Sequence, residues 1–311
     1  MKAAGASHGL ERYLLTPAAA GRWLGQLGAA GLVTIGYLLA ARLGLALLLA
    51  RSDVAVFWPA SGVAAGILIV LGPPARPALV IGVVVGTIAA GLLGDREFLT
   101  SIFNGTWNAG EAVLAAWLLE RWFGQSFTFG DLRCVVGFLL AACLATAASG
   151  VGGAFTLTLL HPETIAPFWD VWREWFLSSW VGLVVVAPLV IGTAQTWRKP
   201  PSRGEWVEAI GVLSLTLVAS SYTMLQETSS WLTFSPGALI LPMLLWLTAR
   251  CQPTFAIAGA FLASVAIICA ITFGIGRFGD AAAPIMLRVT GAQLAIMTVT
   301  ISTQVLAELF A

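Results

Sequence analysis

Three charged side chains of this sequence, Arg42, Glu111 and Arg288, fall inside apolar runs long enough to be membrane helices. A charge at a helix centre in hydrocarbon costs roughly 3 kcal/mol or more, so such groups are kept for a pair, a ligand or a proton. Glu111 falls about seven residues below the outer end of its helix, a depth of ~10 Å at about 1.5 Å per residue. Arg42 reaches nearly the same depth in the first helix, and Arg288 lies about one turn into the last. An Arg42–Glu111 or Arg288–Glu111 pair is sterically allowed. The carboxylate therefore reads either as half of a structural ion pair or as a ligand-binding or proton-coupled group. Asn104, Asn108 and Glu111 are spaced i, i+4, i+7 and share one helix face. Two amides and a carboxylate on one face are costly unless they line a pocket or meet polar partners. Amides also act as glue between membrane helices; because this face reaches the outer mouth, the pocket reading is the better one.

A second candidate is Val56-Phe57-Trp58-Pro59-Ala60-Ser61-Gly62. Pro59 donates no backbone hydrogen bond and biases Trp58 away from helix. The segment reads either as a helix N-terminus with an interfacial Trp or as a break whose backbone, with Trp58, Pro59 and Ser61, meets a ligand. Of the 13 tryptophans, Trp169, Trp172 and Trp175 are spaced i, i+3, i+6, with Trp180 deeper. Their flanking charges predict an amphipathic helix at the outer interface, as an aromatic belt or as a ligand platform that would include Trp175. Gly62/Gly66 and Ala78/Gly82/Gly86/Ala90 are small-residue rows suited to helix packing.

The elements that must hold these groups are set by composition. Hydrophobic residues make up 59% of the chain and charged ones 10%, and the mean hydropathy is +0.90. A soluble domain carries roughly a quarter charged residues, so a water-soluble fold is excluded. Hydropathy predicts helices near 24–50, 59–72, 77–94, 104–122, 133–159, 175–196, 206–225, 235–249, 254–275 and 285–307. The second is short enough to be a half-helix or re-entrant segment, and Pro236 and Pro242 interrupt the eighth. Lys2, Arg12 and Arg22 resemble a signal-peptide n-region, but the next apolar run is too long for one. With a cytoplasmic N-terminus, the inner gaps hold Arg76, Arg121, Arg133, Arg198, Lys199, Arg203 and Arg250 as well. The outer gaps hold only Arg51, Arg96, Arg173 and Arg277, among many acids. By the positive-inside rule this fits an even number of crossings. The four cysteines show no metal spacing, and with only His8 and His161 as histidines a His-rich metal transporter is excluded. No nucleophile with a base, phosphate loop or HExxH appears, so neither catalysis, a metal nor a cofactor is called for. A net charge of +1 gives no sign of a nucleic-acid partner.

With these residues named, Phe57-Trp58-Pro59-Ala60-Ser61-Gly62-Val63-Ala64-Ala65-Gly66 resembles a signature of the MASE-one family, the first class of bacterial membrane-associated sensor domains. The stretch from Asn104 through Asn108 and Glu111 to Leu118 resembles a second motif, and Trp175 through Gly182 to Pro188 a third. The resemblance covers about 57–190, and the remaining helices fit the family's span. Ser179 stands where the third motif often carries an acidic residue. The resemblance implies a sensory module that usually precedes a histidine kinase, diguanylate cyclase or phosphodiesterase output.

The expectation is an all-α polytopic integral membrane helical bundle of about eight to ten transmembrane helices, with both termini cytoplasmic. Residues 1–23 would form a cytoplasmic segment and 24–311 a single sensor domain without an output domain. It would sit in the bacterial inner membrane among membrane lipid, with a small-molecule ligand and, as partners, a second copy, a kinase or a transporter. Candidate ligand-binding residues are Trp58, Pro59, Ser61, Asn104, Asn108, Glu111, Arg42, Arg288 and Trp175. The competing expectation is a secondary transporter or permease subunit coupled through Glu111. A broken helix beside a buried charge suits that class, and the lack of an internal repeat counts against it.

Overall fold

In the computed structural model, residues 17–47, 55–125, 127–161, 166–225, 236–280 and 282–310 are described. Among them there is no strand. Besides the single-turn helix Gly276–Gly279, ten longer helices follow in chain order: α1 (Pro17–Ala46), α2 (Pro59–Leu71), α3 (Arg76–Leu92), α4 (Phe98–Phe123), α5 (Leu132–Leu160), α6 (Phe168–Arg198), α7 (Arg203–Leu225), α8 (Pro236–Arg250), α9 (Pro253–Thr272) and α10 (Ile285–Phe310). Seven of these are long and apolar enough to cross a membrane; α2 and α8 are apolar but shorter, and α4 carries the polar face. These helices coincide with the segments expected from hydropathy. The first helix starts earlier than expected, at Pro17, inside the segment assigned as a cytoplasmic tail. Residues 1–16 of that tail, with Lys2, His8 and Arg12, lie outside the described residues.

Short connections make successive helices antiparallel, and α2 sits at the centre of the first six. It packs most extensively on α6 and also touches α1 and α4. The contact with α6 depends on glycine at two places. A Cβ on Gly182 would stand 1.9 Å from the Trp58 carbonyl oxygen, and one on Gly62 would stand 2.4 Å from the Gly182 carbonyl. Backbones this close admit no side chain between them. The row Ala78/Gly82/Gly86/Ala90 does the same for α3, seating Gly82 on Val33 and Gly86 on Tyr37 of α1. Helices α7, α8, α9 and α10 pack beside this group, with α9 and α10 lying against α6.

Two sequence expectations need correction here. The tryptophan run does not form a separate interfacial helix: no Pro or Gly interrupts 168–181, so Trp169, Trp172 and Trp175 occupy the first turns of the 31-residue α6. The fourth helix begins at Phe98 rather than at 104, which puts Asn104 well inside it.

Candidate functional site

The helices leave a cavity of about 270 Å³ at the end of the bundle where α1, α3 and α5 finish and α2, α4 and α6 begin. Its walls include Leu45 of α1, Ala55 and Trp58 before α2, Thr87 and Gly91 of α3, Thr100, Asn104 and Asn108 of α4, Gly153 of α5, and Trp175, Ser178 and Ser179 of α6. Arg96 and Glu174 stand on the same cavity. We refer to this as the mouth end.

Each wall has a local cause. Pro59 at the first helical position starts α2 and leaves Trp58 outside the helical conformation (φ −118°, ψ 85°). The Trp58 amide then donates to the Ser178 carbonyl at 3.0 Å, which ties the break to α6. On α5, Ser149-Gly150-Val151-Gly152-Gly153 presents a surface without bulk. Trp172 lies on Gly150, Trp107 on Gly152 and Trp175 on Gly153. Trp172 Nε1 donates to Ala147 O at 3.0 Å and Trp107 Nε1 to Thr156 Oγ1 at 2.9 Å. Trp175 Nε1 has no acceptor.

Behind the wall formed by Asn108 and Ser179 lies Glu111, 2% exposed. The Ser149 hydroxyl donates to its Oε2. Ser61 and Ser179 face the same carboxylate, while Glu111 Oε1 and Ser61 Oγ make no hydrogen bond. Tyr37 of α1, fully buried, brings its hydroxyl among Thr87, Trp58 and this carboxylate, also without a partner. Asn108 Oδ1 is buried and unpartnered as well. Native interiors leave few buried polar atoms unpaired, and each one calls for a reason. Here Tyr37, Ser61, Asn108, Glu111 and Trp175 gather such atoms from four helices around one cavity.

The structure thus brings together Trp58, Asn104, Asn108 and Trp175 on the cavity, with Ser61 and Glu111 behind it and Pro59 buried at the α2–α6 contact. It does not bring in the two arginines. Arg42 is exposed and its Nη1 donates to the Leu93 carbonyl at 3.0 Å, at the C-terminal end of α3. A cation is favourable there because helix carbonyls are left over. Arg288 turns its Nη1 toward the Phe278 carbonyl at 3.4 Å. Neither pairs with Glu111, whose partners among the described residues are hydroxyls. Sequence gives the depth of a residue in its helix but not the direction in which it points, and the pairing failed on direction. Tyr37, Ser149, Ser178, Arg96 and Glu174 were missed. The run Ser149-Gly150-Val151-Gly152-Gly153, polar and small in an apolar helix, was the available signal for Ser149.

A family model for MASE1 matches residues 29–307, from within α1 almost to the end of α10. The chain belongs to the MASE1 family. MASE1 is a family of membrane-associated sensor domains, and with seven apolar helices this member is a multi-pass membrane protein. No curated protein and no solved structure matched the chain. Two of the three motifs that carried the resemblance converge on the cavity through Trp58, Asn104, Asn108 and Glu111, and the third enters it through Trp175, Ser178 and Ser179.

Proposed function

We propose that this MASE1 chain is the sensory module of a bacterial inner-membrane signalling protein, that the cavity at its mouth end receives a small ligand from the outer side, and that α10 carries the resulting change in helix packing to a histidine-kinase or diguanylate-cyclase type of output, on the same chain or on a partner. The observation that carries this reading is the set of unpaired polar atoms of Tyr37, Ser61, Asn108, Glu111 and Trp175 around one cavity. A ligand that pairs them gains in one state of the bundle what it lacks in another, and such a difference in affinity is what shifts an equilibrium.

The route to α10 runs through two glutamines. Gln293 Nε2 donates to the Val56 carbonyl at 3.2 Å, two residues before Trp58. Farther along α10, Gln304 Nε2 donates to the Val184 carbonyl of α6 at 2.9 Å. Val184 lies four residues before Pro188, which has no N–H to give. Gln304 therefore supplies the bond that the proline removes. Helix α10 is fastened both to the cavity wall and to the proline turn of the helix that lines it.

Filling the cavity tests this coupling without a known ligand. In the natural full-length protein, Asn104→Trp should change the output signal. In the purified chain, with native cysteines removed, spin labels at Trp197 and Leu309 report the separation of the α6 and α10 ends. The expected result is a shifted distance in Asn104→Trp that reverts toward the parent when Gln304→Leu is added. An unchanged distance in a variant that still elutes as folded protein would remove the sensory reading.

A further inference from the structure

The polar groups at the cavity are not mixed at random, and their arrangement points to a chemical class of ligand. Hydrogen-bond acceptors without donors come from α4: Asn108 Oδ1 and, behind it, Glu111 Oε1. Trp175 Nε1 is a buried donor without an acceptor, the hydroxyls of Tyr37 and Ser61 stand unpaired behind the wall beside Glu111, and the exposed Arg96 guanidinium lies on the α3–α4 connection at the cavity. Glu174 adds a half-buried carboxylate on α6. Arg96 and Glu174 line the same cavity, yet among the described residues they form no ion pair with each other or with another side chain. Opposite charges that share a rim and stay apart leave a place for a molecule carrying the complementary pair.

We infer that the cavity takes a small zwitterion, with an ammonium and a carboxylate on one compact apolar frame, of the kind an α-amino acid presents; this inference rests on the sensory reading of the cavity. The ammonium is directed to Asn108 Oδ1 and Glu174, whose oxygens accept from it, with the Glu111 carboxylate behind Asn108. The carboxylate is directed to Arg96 and Trp175 Nε1, which can only donate. The indoles of Trp58 and Trp175 supply apolar wall for the frame, and Trp can hold a cation over its face. Simpler ligands fit less well. A monoanion meets two carboxylates with one guanidinium, a monocation leaves Arg96 and Trp175 unanswered, and a neutral molecule leaves all the charges unmatched. A volume of about 270 Å³ limits the frame to amino-acid size, at the small end of known ligand pockets.

Three-way sets of isosteric probes separate these cases. Thermal unfolding of the purified chain in detergent is followed with L-leucine, with isoamylamine, which lacks the carboxylate, and with 4-methylpentanoate, which lacks the ammonium. L-phenylalanine, phenethylamine and 3-phenylpropanoate form the second set. A ligand bound only to the folded state raises the unfolding temperature in a concentration-dependent way. The expected result is a rise with at least one amino acid and none with its amine or acid at equal concentration. Arg96→Gln and Glu174→Gln should each weaken the amino acid at least ~10-fold, as loss of one charged hydrogen bond does, and should keep the unliganded unfolding temperature. An equal rise with an amine or an acid alone, a rise that survives both substitutions, or no rise with either amino acid would each overturn the zwitterion assignment. The spin-label distance in Asn104→Trp uses no ligand. A shifted distance with silent probes therefore discards the ligand class alone, and an unshifted one discards the sensory reading beneath it.

Discussion

The two ends of the bundle differ in how far their polar side chains bond across helices. At the end away from the cavity, side chains stitch one helix to the next. Arg76 at the start of α3 pairs with Glu120 near the end of α4. Glu208 of α7 accepts from Arg250 at 2.7 Å and from Trp246 Nε1 at 2.8 Å, both on α8. Glu205 accepts the Gln252 backbone amide at 2.7 Å, and Gln252 Nε2 reaches the Lys199 carbonyl at 3.1 Å. Asp131 caps α5 by accepting from the Cys134 amide at 2.8 Å. Single atoms without a partner occur there too, Gln26 Oε1, Arg76 Nε, Glu120 Oε1 and Glu308 Oε2, but each of these residues except Glu308 makes a hydrogen bond through another atom. At the mouth end some pairs also form, such as Arg173 with Asp170 and His161 with Thr100. Around the cavity itself, however, polar atoms stand unpaired on four helices. Buried polar atoms stabilise a fold only when satisfied, so the cross-helix bonds of the far end contribute stability that the unpaired hydroxyls, amide oxygen and indole around the cavity do not. An end that has open bonding capacity is the end that can respond to a molecule bringing partners.

This contrast can be broken or sharpened by substitution. The largest effect is expected at the seam beneath both ends. Gly182→Val puts a side chain where only 1.9 Å separates a Cβ from the Trp58 carbonyl, and overpacking against backbone should cost more than ~3 kcal/mol. Gel filtration should show loss of the monodisperse folded species. Next comes Gln304→Leu, which leaves the Val184 carbonyl unpaired in the bundle and should cost about 1–3 kcal/mol by chemical denaturation. At the far end, Glu120→Ala strands Arg76, whose side chain is 31% exposed; with partial screening by solvent the loss should be ~1–2 kcal/mol, with the signalling response intact. Glu111→Gln should do the reverse. The amide oxygen can still accept from Ser149, so stability should stay within ~1 kcal/mol while the output response disappears. If that variant signals normally, the carboxylate is structural and the contrast between the ends loses its functional meaning.

The smallest effect belongs to the exposed cap. The Cys134 amide beside it holds the Asp131 carboxyl below its ordinary value of 3.8. A group depressed by folding contributes stability above its unfolded pKa and loses it as pH falls through the folded one. Asp131→Asn, still a capping residue, should therefore flatten only the acid limb of the stability profile below about pH 4.

Much of this was legible in the chain itself. Apolar runs of membrane length fixed the helices, because no other element satisfies its own backbone in lipid. Glu111, Asn108 and Trp58 could be picked out because a carboxylate, an amide or an X-Pro break is conspicuous in such a run. Hydroxyls are less conspicuous. Thr34, Thr87, Thr146 and Ser264 each donate to the carbonyl four residues back in their own helix, and Ser149, which turns to Glu111, is set apart from them in sequence only by the run of small residues that follows it. Tyr37 looks equally ordinary within α1. Only tertiary structure decided which way each side chain points. It sent Arg42 to the end of α3 and Arg288 toward Phe278, gathered the unpaired atoms of four helices at one cavity, and set Gln304 opposite the carbonyl that Pro188 leaves free. Depth along a helix follows from counting residues, whereas facing is settled by the packing of all its neighbours at once.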